Sequence, residues 1–206
     1  IYEQVLLGAL DTGKWALAHR MLSELQKQLP ATSQRLVRLT GMMHEAKGEY
    51  AEAWNVYQRM LSADESSVYA MKRKIAVLRA APVEHIVDDS NDDGKGSNIV
   101  SCGPAAAVRA LTEYLDIHAI DHEAWMELAD CYLALNMYRQ ALFCLDEVML
   151  LIPQNHIPQL KAAETLYSIG HLASALKRFC RALELCPDNV RALYGIQLCL
   201  ARLLNR

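Results

Sequence analysis

Asp89, Asn91, Asp93 and Gly94 follow the order of the first half of an EF-hand calcium loop, D-x-N-x-D-G. That loop needs a bidentate Glu at its twelfth position, because calcium takes roughly six to eight oxygen ligands. Here the twelfth residue is Val100, and the flanking helix pair is absent. The run reads as an acidic loop rather than a calcium site. His118 and His122 straddle a break between elements, and neither has a Cys or His at metal-ligand spacing. Cys131, Cys144 and His156 fall within one stretch, but the two cysteines belong to different helices at packing positions. No G-x-S-x-G elbow, phosphate-cradling Gly loop or H-E-x-x-H run occurs. The paired acids Asp92-Asp93 and Asp146-Glu147 carry no sign of an enclosed pocket. The sequence therefore predicts no catalytic residue, no metal and no cofactor.

Composition narrows the remaining classes. Hydrophobic residues make up 52% of the 206 positions and charged residues 22%, as suits a chain that buries a core. A net charge of −3 argues against a nucleic-acid binder or a basic membrane-surface patch. No run of apolar residues is long enough to span a bilayer. The six cysteines include no CxxC pair, and Cys131, Cys144, Cys180 and Cys199 sit in predicted helices next to core positions. Free cysteine behaves as a small buried hydrophobe, so a reduced, intracellular protein is expected. The chain starts at Ile1 rather than Met and reads as a portion of a longer one.

The elements that position these residues come from a repeat. Trp125, Leu128, Ala129, Tyr132, Ala141, Leu145, Val148 and Pro153 are answered by Ala162, Ala163, Leu166, Ala175, Phe179, Ala182 and Pro187. The offset is about 34 residues, the period of a tetratricopeptide repeat with two antiparallel helices per unit. Extending the phase places the inter-helix turns at Gly13, Gly48, Pro82, Asn136 and Gly170. Gly and Asn accept the left-handed backbone that ends a helix, independently of the apolar pattern. The predicted fold is all-α: a right-handed superhelical solenoid of about five helix pairs plus a terminal helix, forming a single array over 1–206. That last helix, from Val190 to about Leu204, would close the stack or present its apolar face to further chain.

The third unit departs from the period. Counting from Val68, its packing alanine is due at position 87 but appears as Ala107, a 20-residue insertion at about 83–103. An inter-helix turn tolerates extra chain because the packed faces are undisturbed. Glu84, Asp88, Asp89, Asp92 and Asp93 stand there against a single Lys95. With Gly, Ser and Asn around them, they predict a flexible acidic loop.

In this architecture the first helix of each unit lines a groove. The residues predicted to face it are Arg35, Arg38, Met42 and Glu45 in unit two, and Tyr69, Lys72, Ala76 and Arg79 in unit three. Unit four supplies Glu123, Met126, Asp130 and Leu133, and unit five Ile157, Leu160, Glu164 and Tyr167. The expected groove is basic toward the N-terminal half and acidic with apolar spots toward the other, which would orient a partner segment. A chaperone-tail clamp needs Lys and Asn at fixed groove positions; the fifth positions of units three to five are Lys72, Met126 and Leu160 and the ninth are Ala76, Asp130 and Glu164, so the clamp is missing. A free-standing adaptor for a peptide or chaperone tail is thus the alternative reading.

Five blocks in order carry a resemblance: Ile1-Tyr-Glu-Gln-Val5, Arg38-Leu-Thr-Gly-Met42, Lys72-Arg-Lys-Ile-Ala76, Glu123-Ala-Trp-Met-Glu-Leu-Ala129 and Phe143-Cys-Leu-Asp-Glu147. The chain resembles the subunit 2 family of the endoplasmic reticulum membrane protein complex, except at the insertion, where that family has a short turn. The resemblance implies a non-catalytic scaffold, peripheral on the cytosolic face of that membrane. It would hold cytosolic segments of membrane subunits and a soluble partner subunit, in an assembly that inserts transmembrane segments, tail anchors included. It supplies no short motif, so the candidate site remains the groove derived from the repeat phase.

Overall fold

The computed structural model describes residues 1–30, 33–81, 86–88, 98–100 and 102–204. They fall into two compact units, 1–106 and 107–206. In the first, α1 (Tyr2–Asp11) pairs with α2 (Trp15–Gln28), α3 (Gln34–Lys47) pairs with α4 (Tyr50–Ala63), and α5 (Val68–Ala80) packs on α4. Two short strands follow, β1 (Ile86–Asp88) and β2 (Asn98–Val100), and then α6 (Pro104–Ile117), most of which belongs to the second unit. There α7 (His122–Ala134) pairs with α8 (Tyr138–Leu151), α9 (His156–Ile169) pairs with α10 (Leu172–Leu185), and α11 (Val190–Leu204) packs on α10 and α9.

Four of the five predicted turns have the left-handed backbone that ends a helix, at Gly13, Gly48, Asn136 and Gly170, with φ of 67°, 80°, 58° and 96°. The fifth, Pro82, lies outside the described residues. At each turn the following N–H reaches back across the helix end: Lys14 N donates to Ala9 O, Glu49 N to His44 O, Met137 N to Tyr132 O and His171 N to Leu166 O, all at 2.9 Å. This returning hydrogen bond satisfies a terminal carbonyl and reverses the chain. Asn136 is the informative case, since a non-glycine residue seldom accepts positive φ. Helix starts are fixed by side chains where the sequence offers them: Asp121 accepts from Glu123 N and Ala124 N at the head of α7, and Asn155 from Ile157 N at the head of α9.

The small residues sit at the helix crossings. Ala18, Ala53, Ala107, Ala129, Ala141, Ala162, Ala163, Ala175 and Ala182 are all fully buried. Around them the first unit packs Leu6, Leu10, Leu22, Leu25, Leu36, Leu39 and Met43 into one cluster. Gly41 of α3 is there because Tyr57 of α4, itself fully buried, fills the space a side chain would need. In α11, Ala192, Gly195 and Cys199 face inward, while Leu193, Tyr194, Leu198 and Leu204 are exposed.

The insertion holds structure the sequence reading did not foresee. β1 and β2 are antiparallel in the register Ile86↔Val100, Val87↔Ile99, Asp88↔Asn98, and β1 runs alongside α4. At the base, Gly103 N donates to Leu78 O at 2.9 Å, tying the end of the insertion to α5. The EF-hand-like run, Asp89 to Gly94, lies outside the described residues, as do Glu84 and Lys95. The thiols divide unevenly: Cys102, Cys131, Cys144 and Cys199 are buried, whereas Cys180, expected beside the core, is exposed on α10.

Candidate partner-binding faces

Among the described residues no cluster of His, Cys, Asp and Glu could hold a metal ion, and no helix is long and apolar enough to cross a membrane. The groove positions predicted from the repeat phase fall in both units.

In the first unit the predicted basic face is internally paired. Arg35 of α3 binds Glu3 of α1 through two guanidinium nitrogens, with Nε at 2.8 Å from Oε2. Arg38 approaches the same carboxylate at 4.0 Å and lies over the Tyr69 ring, 4.7 Å from its centroid. Two turns further along α3, Glu45 is bound by Arg73 of α5, with Nε 3.0 Å from Oε1. Tyr57 meets Tyr69 edge to face at 6.4 Å. Arg35 holds the Glu3 carboxyl below its usual range, and burial raises the Tyr57 and Tyr69 phenols. Met42 is half-buried against the core cluster of this unit. Lys72 is half-buried and Arg79 is exposed. Glu3, Gln4, Leu7, Arg35, Arg38 and Tyr69 contribute to a cleft of about 730 Å³.

The second unit repeats the arrangement with the same order, an acid on one helix bound by a base on the helix two further along. Asp130 of α7 accepts from Lys161 Nζ of α9 at 2.6 Å, and Glu164 of α9 meets Arg191 of α11 at 2.5 Å. Tyr167 lies under the Arg202 guanidinium, 5.2 Å from the ring centroid. Glu123 is exposed and Met126 half-buried. Leu160, expected in the groove, is buried with Ala163, Ala175 and Phe179, because α9 turns that position toward α10. Each unit thus brings its predicted residues together with partners that the helix-by-helix reading left out: Glu3, Arg73, Lys161, Arg191 and Arg202.

The same reading missed a second concavity. Trp125, Leu128 and Tyr132 occupy the face of α7 opposite Glu123, Met126 and Asp130, as the 3.6-residue period requires. With Leu115 and Asp116 of α6 and Arg139, Phe143 and Cys144 of α8 they line a cleft of about 700 Å³. Packing positions in a repeat sequence signal burial, so nothing marked this place as open.

Helix pairs of this length, with alanines at the crossings and Gly or Asn turns at a fixed phase, define a tetratricopeptide-repeat protein. Solved structures agree on the fold: a MamA structure from Desulfovibrio magneticus RS-1 superposes with TM-score 0.62 over 92% of this chain and 95% of its own, at 16% identity. A family profile described as the EMC2 TPR-like repeat domain matches residues 97–183. The ER membrane protein complex subunit 2 of Xenopus tropicalis is 39% identical over 95% of this chain and 60% of its own length. The TPR repeat protein oca3 of Schizosaccharomyces pombe is 31% identical over the whole of this chain and 67% of its own. The chain belongs to the tetratricopeptide-repeat family of ER membrane protein complex subunit 2. It spans about 60% of the length of the Xenopus relatives.

Proposed function

We propose that the protein is a non-catalytic scaffold subunit of the endoplasmic reticulum membrane protein complex, peripheral on the cytosolic side. It binds cytosolic parts of partner subunits and so supports insertion of transmembrane segments, tail anchors included. The observation that carries this reading is the 39% identity, over nearly the whole chain, with a protein named as subunit 2 of that complex. The absence of a metal-binding cluster among the described residues is compatible with it and adds no weight. The repeat faces suit it, because rigid helix pairs present side chains in fixed array, as partner recognition requires.

A tagged chain recovered from detergent-solubilised membranes, read by mass spectrometry, tests the proposal. The expected result is a set of membrane subunits together with a soluble partner subunit. Recovery of soluble chaperones alone would instead support a free-standing adaptor.

A further inference from the structure

We propose that the cleft between α6, α7 and α8 is a second docking site, which takes an amphipathic helix from a partner protein. Its floor is apolar and buried: Leu115, Leu128 and Cys144. Trp125 and Phe143 form its wall, edge to face with centroids 6.1 Å apart. The indole is fixed because Trp125 Nε1 donates to Ala119 O at 2.8 Å, so the wall is preformed. Phe143 nevertheless leaves 58% of its surface in water. A large apolar side chain entering here would cover that ring and displace water from the floor. The volume, about 700 Å³, is of the size that receives one or two such side chains.

Charge and backbone specify the occupant. Asp116 on the α6 rim and Arg139 on the α8 rim are exposed, and neither has an ion-pair partner among the described residues. A matching segment carries a basic residue toward α6 and an acidic one toward α8, with bulky apolar residues between them. The walls are helices and offer no sheet edge, so an extended peptide would find no strand to pair with. A helix brings its own backbone hydrogen bonds and needs only to insert side chains. The site stands on the face of α7 away from Glu123, Met126 and Asp130, so both faces could be occupied at once.

The probe is a synthetic amphipathic helix with Leu and Phe one turn apart, Lys on one flank and Glu on the other, followed by fluorescence anisotropy against the whole chain. Saturable binding is expected, weakened about tenfold or more by Phe143→Ser, as for an aromatic anchor. Arg139→Glu weakens it too, and changing the probe's Glu to Lys restores it. Circular dichroism confirms that both exposed-site variants keep their helicity. No saturable binding, or binding indifferent to both variants, overturns the proposal. So does self-association abolished by Phe143→Ser, which makes a second copy the occupant. Saturable binding of indole itself with no binding of the helix makes it a small-molecule cleft and equally refutes the inference.

Discussion

The ring of Tyr57 lies against the backbone of Gly41: a Cβ built on residue 41 would stand 2.8 Å from both Cε1 and Cζ of the tyrosine. This contact sets how closely α3 and α4 approach. Tyr57 is fully buried and has no room to give way. Gly41→Ala should therefore destabilise the chain by about 1–3 kcal/mol through overpacking. Gly8, in α1 and open to solvent, is the control: Gly8→Ala meets nothing within 4 Å. There the helix-propensity gain of about 1 kcal/mol should appear instead. Thermal melts of the two variants should move in opposite directions.

Glu3 titrates below the ordinary glutamate range because Arg35 is bound to it. A depressed carboxyl pKa stabilises the fold above the unfolded-state pKa, and that contribution disappears as pH falls through the folded-state value. Carbon-detected NMR should place the Glu3 midpoint below the ordinary glutamate range. Arg35→Gln should return it toward the ordinary range. The pair is exposed on the arginine side, so the stability change itself should be small.

Charge reversal tests the groove face of the first unit. Arg79→Glu and Lys72→Glu should weaken co-purification of a partner while helicity stays unchanged. Arg38→Glu differs, because it would place an acid beside Glu3 and remove the cation over Tyr69. That variant should lower the melting temperature as well. Undiminished recovery of every partner with Arg79→Glu and Lys72→Glu would count against this face as a contact.

Thiol reactivity should follow burial. Cys144 is buried, and desolvation pushes its pKa up to about 12, so almost none of it is thiolate at neutral pH. Cys180 is exposed. A native-state alkylation time course should label Cys180 early and Cys144 only once the chain unfolds, with peptide mapping as the readout. Early labelling of Cys144 would mean that α7 and α8 open locally.

Burial and turns were legible in the sequence because both obey a period. Ala129 and Ala163 repeat at one phase, Ala141 and Ala175 at a second, Asn136 and Gly170 at a third, and the backbone takes the conformation those residues permit. Charge pairing is less legible, because each pair joins two helices and a groove position taken alone does not show its partner. Yet Asp130–Lys161 and Glu3–Arg35 are separated by nearly one repeat, so opposite charges at that spacing were the available signal. The hairpin had a signal too: Ile86-Val87 and Ile99-Val100 are β-branched pairs on either side of the acidic run. Acidity and Gly content outweighed them in the reading, although each strand needs only three residues.

The paired faces have a consequence for any charged ligand. With Arg35 held by Glu3, Glu45 by Arg73 and Glu164 by Arg191, an incoming charge meets neutralised sites. Recognition there is an exchange reaction, in which one ion pair is traded for another. Added salt screens the outgoing pair as well as the incoming one. The affinity of such a ligand should then respond to ionic strength far less steeply than a count of its charges implies.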